Sequence, residues 1–445
     1  MRIVLAVHAF PPRSVAGVEV YTLRLAQGLR ARGHDVHVLA AVHDLDAPPG
    51  AVRRRSHAGV DVVEIVSVHA AGTLEATYDD PVVDAAGAAV FDELRPECVH
   101  FQHLLNLSSG LVAAARRAGA RTVFTLHDYW LSCPRDGLRM REDLSLCQSM
   151  DHRACAACLA ASPYLAPPLQ RGLAGAARRL GLGRYLHRLH DVAPAATEGL
   201  LRLLRRTVPE PGAGLAEGMD RRARRLQRVV AEIDLVLAPT AFARDRALEF
   251  GVAASKVQLC PYGVLTAPAQ PRAAGRRLRF GFIGTVAPHK GVHVLVDAFR
   301  AVADPAATLD VHGSLTVQPA YVAQLRRAAE GDPRIHLRGP FAEGGQAAAL
   351  AQLDVLVVPS LWWENSPLVV LEALGAGVAV VASRTGGVPE LLSEGDGLLV
   401  PPGDARALGE ALAAVARGDR LSEAREAPAL KTSADEAAVM ESLYH

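Results

Sequence analysis

Two glutamates stand eight positions apart in the stretch LWWENSPLVVLEALGAGVAVVAS, Leu361 to Ser383. Pro367 suits the first position of a helix and Ser366 the N-cap before it, so the spacing predicts a helix that starts there. Its free amides would point at the loop Trp363–Ser366 and make an anion site. Glu364 then lies at the helix mouth, and Glu372 lies five residues past Pro367, about 7 Å along the axis at 1.5 Å per residue. A phosphate at the helix end and a ribose whose two hydroxyls reach the deeper carboxylate would fit that spacing. The alternative is a pair of solvated glutamates, but VVLEALGAGVAVV is too apolar for a surface helix. A carboxylate on a buried element needs partners.

Two further groups of residues could do chemistry. His8, His103 and His127 each end an apparent strand, and His127 does so in VFTLHDYW. Cys133, Cys147, Cys155 and Cys158 follow it with the spacing C-x13-C-x7-C-x2-C. In a chain expected to be cytosolic, such a cluster favours a closed, structural zinc over disulfides. An iron–sulfur centre or plain reduced thiols are the alternatives. Cys98 and Cys260 read as core residues.

The elements that must hold these groups repeat. A strand from Arg2 to Val7 leads through a loop with Ala16 and Gly17 to the helix VEVYTLRLAQGLRARG and the strand HDVHVLAAV. The second half repeats the move: LRFGFIG, the loop TVAPHKG, helix VHVLVDAFRAV, strand TLDVHG, then further strand–helix units through DVLVVPS and VAVVAS. Short apolar strands alternating with helices predict parallel sheets covered on both faces. The expected fold is α/β, with two doubly wound Rossmann-like domains facing each other across a cleft. The first spans residues 1–267 and carries a cysteine-rich and helical insertion at about 130–228. The second spans 275–420, after a linker PAQPRAAGRR, and 421–445 forms a helix that could cross back to the first. Ligands of such sheets sit at the carboxyl ends of the strands.

Nearly the whole chain resembles the retaining glycosyltransferases of family 4, which have the GT-B fold. The residues that carry the likeness are VAGVEVYTLRLAQGLRARGHDVHVLA, TLHD, FIGTVAPHKG, DVLVVPSLWWENSPLVVLEALGAG and GGVPELLSEGDGLLVPPGD. The resemblance implies transfer of a sugar from a UDP- or GDP-linked donor to a glycan, lipid-linked or small-molecule acceptor, with retention and without a catalytic metal. It gives Glu364 the donor sugar's hydroxyls, Glu372 the ribose, and Asn365, Ser366, Pro367 and Leu368 the donor phosphates. It gives Lys290 the diphosphate, where a fixed ammonium stabilises the charge of the leaving group. Gly17 would approach the donor phosphate and His127 the donor sugar near the reacting carbon. This chain departs from the pattern at Thr285, where an arginine is usual, and at Ala16, where a second glycine is usual. His8 and His103 are candidates for the acceptor side. Trp362 and Trp363 could stack on sugar or base, although packing is the commoner fate of such aromatics.

Net charge is +1, which gives no argument for nucleic acid. No apolar run approaches the roughly 18 residues of a membrane span. The arginine-rich segments LQRGLAGAARRLGLGRYLHRLHDV, LLRLLRRT and MDRRARRLQRVV are amphipathic. They read either as a helical insertion packed on the first domain or as a peripheral contact with the anionic inner face of a membrane. No G-x-G-x-x-G follows the first strand and TVAPHKG lacks the Walker spacing, which argues against a dinucleotide oxidoreductase and an ATPase. A sugar-nucleotide 2-epimerase and a non-catalytic scaffold subunit are the rival readings.

Overall fold

A computed structural model describes residues 1–67, 73–161, 214–265, 277–342, 344–392, 397–418 and 430–445, with isolated positions between 172 and 185. The first sheet contains β1 (Arg2–Val7), β2 (Asp35–His43), β3 (Val52–His57), β4 (Val60–Ser67), β5 (Cys98–Phe101), β6 (Arg121–Thr125), β7 (Leu235–Ala238) and β8 (Val257–Leu259). Their order is β3-β4-β2-β1-β5-β6-β7-β8, and all pairs are parallel except β3 with β4. The second sheet contains β9 (Arg279–Ile283), β10 (Thr308–His312), β11 (Ile335–Gly339), β12 (Val355–Val358), β13 (Ala379–Ser383) and β14 (Gly397–Val400). It is wholly parallel, in the order β11-β10-β9-β12-β13-β14.

Both sheets are buried on both faces, which is why their strands read as unbroken apolar runs. Along β1, Val4 and Ala6 enter one core cluster while Ile3, Leu5 and Val7 enter the opposite one. Along β12, Val355 and Val357 face one cluster and Leu356 and Val358 the other. This is the period-two alternation of a strand between two helical layers, and each fully buried Val or Leu contributes roughly 1.5–3 kcal/mol.

The terminal helix Ser433–Tyr444 packs on the helix Gly17–Ala31 of the first domain. A capping box starts it, with Thr432 and Asp435 each bonding the other's backbone amide. Its entry is tied to the first domain: Val264 N donates to Lys431 O and Ser433 N donates to Val264 O, both at 3.0 Å. The linker expectation falls mostly outside the described residues, as do two of the three arginine-rich segments.

The third such segment lies on the helix Gly214–Glu232 and is docked, which corrects a reading of it as a membrane-facing basic surface. Arg222 is 1% exposed, and its guanidinium donates to the carbonyls of Trp130 at 2.6 Å and Leu131 at 3.0 Å. Arg221 pairs with Glu75 and Arg225 with Asp79. Arg224 and Arg228 face solvent. Among the described residues no helix is long and apolar enough to cross a membrane.

Candidate functional site

Each sheet reverses its winding beside its first strand, between β9 and β12 in the second domain and between β1 and β5 in the first. Loops leaving the carboxyl ends of such strands diverge and open a crevice. The loop after β9 carries Lys290 and the loop after β12 carries Glu364, so the switch point alone brings the two together. They are joined directly, because His289 O accepts from Leu361 N at 2.9 Å. Gly291 allows the approach: its φ is +69°, and a Cβ there would lie 2.0 Å from Pro359 O.

Lys290 Nζ donates to Glu364 Oε1 at 2.7 Å and lies 4.7 Å from the centroid of the Trp362 ring. Ser360 Oγ donates to the same carboxylate oxygen at 2.5 Å. Glu364 is buried, which alone would raise its pKa, but the Lys290 ammonium and these hydrogen bonds hold it below the usual carboxylate range. The site is therefore an ion pair held away from bulk water. His289 is kept neutral, its pKa lowered to about 4 by burial and then by Lys290. Thr285 is exposed and places no cation here. The Gly386–Gly387 turn closes over the glutamate: Gly387 N donates to Glu364 O at 2.7 Å, and Gly386, at φ +58°, leaves no room for a Cβ beside that carbonyl.

The helix begins one residue later than the sequence suggests. Pro367 is its N-cap, with extended φ −67° and ψ 113°, and the helix runs Leu368–Gly375. Ser366 does not cap it, and its buried Oγ has no hydrogen-bond partner among the described residues. Asn365 turns away from the helix mouth: its Nδ2 donates to Leu126 O of the first domain at 2.6 Å, while its carbonyl accepts from Thr240 Oγ1 at 3.2 Å. Glu372 is also engaged across the domains. Arg24 Nη1, on the helix Gly17–Ala31, donates to its Oε1 at 2.5 Å, and Gln346 bonds its other oxygen. Burial raises the Glu372 pKa, and Arg24 and Gln346 offset this only in part. The deeper carboxylate does have partners, as its burial requires, and they are protein groups.

Trp363 packs and does not face a ligand. It is buried against Tyr129 and Phe242 of the first domain, with the guanidinia of Arg139 and Arg246 at 5.3 and 5.6 Å from its ring. Glu390 adds another interdomain link by accepting from Ala241 N at 2.6 Å and Phe242 N at 2.7 Å, at the start of a helix.

In the first domain, His8, His103 and His127 follow β1, β5 and β6. Gly17 opens the helix after β1 on the exposed side, with open space around its α-carbon. Both nitrogens of His127 are engaged: Nε2 with Gln102 Oε1 at 2.8 Å and Nδ1 with Tyr262 OH at 2.6 Å. Burial lowers its pKa to about 3, so the ring is neutral. Its neighbours form two acid–base pairs. His8 Nε2 lies 3.4 Å from Glu19 Oε1, and His103 Nε2 lies 2.7 Å from Asp128 Oδ2. The rings of His8 and His103 meet at 4.8 Å. Glu19, although buried, is pulled down to about 2 by His8 and by Ser14. Glu19, Arg24, Gln102, Tyr262, Gln346 and Ser360 were absent from the sequence reading. Each sits where a loop or a distant helix meets the site, and no local motif marks it.

All four clustered cysteines line one cavity of about 250 Å³, together with Arg135 and Met140. Cys155 and Cys158 are one turn apart on the helix His152–Ala161. All four are free thiols. The expected closed tetrahedral site is not formed: among the described residues, no three His, Cys, Asp or Glu side chains are placed to hold a metal. The thiols gather, but their sulfurs do not converge on one point.

Comparison with known proteins matches residues 277–417 to the model described as glycosyl transferases group 1, and residues 15–178 to that of glycosyltransferase family 4. A phosphatidyl-myo-inositol mannosyltransferase of Mycobacterium leprae is 38% identical over 138 residues, 31% of this chain and 36% of that protein. An MMP alpha-(1->4)-mannosyltransferase of Mycolicibacterium hassiacum is 32% identical over 40% of this chain and 44% of its own. The match thus spans 36% and 44% of the length of these relatives. Among solved structures, sucrose-phosphate synthase of Thermosynechococcus elongatus superposes with a TM-score of 0.63 at 18% identity, covering 100% of this chain and 98% of that one. Anabaena HepE in complex with UDP and glucose gives 0.60 at 16% identity, covering 100% and 95%. These two share the fold of paired parallel-sheet domains known as GT-B.

Proposed function

We propose, from a chain that belongs to the family 4 (group 1) glycosyltransferases, that it transfers a sugar from a UDP- or GDP-linked donor to a glycan, lipid-linked or small-molecule acceptor. The observation that carries this is the Lys290–Glu364 ion pair at 2.7 Å, at the switch point of the second sheet. A half-buried ammonium there can neutralise the charge that grows on the departing diphosphate. Glu364 holds that ammonium in place and, on donor binding, exchanges it for sugar hydroxyls. Glu372 takes the ribose, which requires Arg24 to release it. Asn365, Ser366, Pro367 and Leu368 bring main-chain groups to the phosphates, and Gly17 and Thr285 close over them from the two sides.

Retention fits a site with no evident covalent nucleophile, the leaving phosphate oxygen taking the acceptor's proton on the same face. His127 borders the sugar, and His8, His103 and Asp128 form the acceptor wall. The inner face of the membrane is the proposed location, with contact through the part of the basic insertion outside the described residues. A structural zinc on the four cysteines belongs to the same reading through the cavity they share, but it would require the thiols to turn toward one point, since no three described side chains are placed to hold a metal.

Release of nucleoside diphosphate from a panel of UDP- and GDP-sugars should be measurable and should be abolished by Glu364→Ala. Silence across the panel would sink the transferase in favour of a scaffold. The same preparation serves for metal analysis, where less than half a zinc per chain ends the zinc reading. It also serves for flotation with anionic liposomes at moderate salt, where no binding of the full chain ends the membrane reading.

A further inference from the structure

The crossing helix delivers a carboxylate to the wall behind His127. Glu436, 3% exposed, accepts from Tyr21 OH at 2.9 Å through Oε1 and from Gly263 N at 2.9 Å through Oε2. Tyr21 and Tyr262, the residue beside Gly263, lie with ring centroids 4.8 Å apart, and both pack on His127, at 4.9 and 5.4 Å. The Tyr21 hydroxyl is committed to Glu436, while the Tyr262 hydroxyl lies 2.6 Å from His127 Nδ1 and 3.5 Å from Leu126 O, so the shorter contact takes its hydrogen. Since the ring is neutral, an Nδ1 that accepts this hydrogen fixes the proton on Nε2. Nε2–H then donates to Gln102 Oε1, and a sugar oxygen could take Gln102's place.

We infer that Glu436 is a positioning residue: through Tyr21 and the Tyr262 backbone, it keeps His127 in the Nε2–H form that can donate to the donor sugar. The inference rests on the transferase reading for its role and on geometry alone for the relay. Glu436 is served by two donors at once, one on each oxygen; an ionised carboxylate accepts from both at full strength, whereas a protonated one carries an O–H on one of these oxygens and accepts more weakly there. The titratable groups facing it are Lys431, with Nζ at 3.8 Å, and Cys260, Tyr21, Tyr262 and Tyr444. Burial moves its own titration up to about 7, against the pull of Lys431. Glu436 is therefore ionised above neutrality and protonated below it, so the relay is complete on the alkaline side.

The test is nucleoside diphosphate release from GDP-mannose and UDP-glucose across pH 5.5–8.5, together with the imidazole ¹⁵N resonances of His127, assigned by comparison with His127→Gln. Wild type should show a limb rising through about pH 7 and a single Nε2–H tautomer. Glu436→Gln should lower turnover about fivefold, the scale of one lost hydrogen bond, with donor KM unchanged, the limb flattened and the tautomers mixed. Tyr262→Phe, which leaves the crossing helix intact, should mix the tautomers in the same way. An unmixed Nε2–H signal in Glu436→Gln overturns the relay, as does a limb that survives the substitution. A wild type silent across the whole panel of UDP- and GDP-sugars, but with the tautomer change intact, would refute the transferase role and leave the relay standing.

Discussion

Lys290→Ala should lower kcat/KM for nucleoside diphosphate release by about 100- to 1,000-fold, the usual cost of removing one preorganised charge from a developing anion. Most of the loss should fall in kcat, because the charge on the leaving diphosphate is greatest in the transition state. The substitution has a second consequence. Without the ammonium, Glu364 keeps its burial and is left with neutral hydrogen-bond partners such as Ser360, so its pKa should rise above the usual range. Lys290→Arg should rescue little, because a larger planar guanidinium does not reproduce the compact ammonium 2.7 Å from one Glu364 oxygen. Initial rates on the best donor decide the matter, and an alanine variant within threefold of wild type would remove Lys290 from the mechanism.

The largest stability effect should come from Arg222, far from the cleft. Arg222→Leu strands the carbonyls of Trp130 and Leu131 and removes a guanidinium lying 5.0 Å from the Trp130 ring. The expected loss is about 2–4 kcal/mol, since each unsatisfied buried carbonyl costs 1–3 and relief of the desolvated charge offsets part of it. Arg221→Ala, which breaks an exposed pair with Glu75, should cost under about 1 kcal/mol. Urea midpoints at constant m-value measure both. Equal losses would mean that the helix Gly214–Glu232 is not anchored through Arg222.

Both cases show what one sequence can and cannot disclose. The Lys290 and Glu364 loops were legible because strand, loop and helix are local patterns, and the switch point follows from their order. The two-faced burial of β1 and β12 was legible in their unbroken apolar runs. Arg222 was not: a stretch such as RRARRL gives each arginine the same local character, and only the docked fold separates the buried one from Arg224 and Arg228 in solvent. Glu372 was rightly read as a buried charge, but its partner Arg24 is 348 positions away. Glu436 and Tyr21 are 415 positions apart. The cysteine spacing indicated which thiols gather, whereas the placement of their sulfurs depends on side-chain torsions that spacing does not encode. Ser366 and Pro367 were misassigned by one residue because either can begin a helix.

The tie between Val264 and the residues flanking Thr432 has a mechanical meaning. The backbone leaves the first domain next to the point where it later returns, and two amide bonds of 3.0 Å stitch the outgoing and incoming passes together. Two passes anchored at separate places would let the halves shear or twist. Fastened side by side, the two passes share one anchorage on the first domain, beside the helix that carries Glu436.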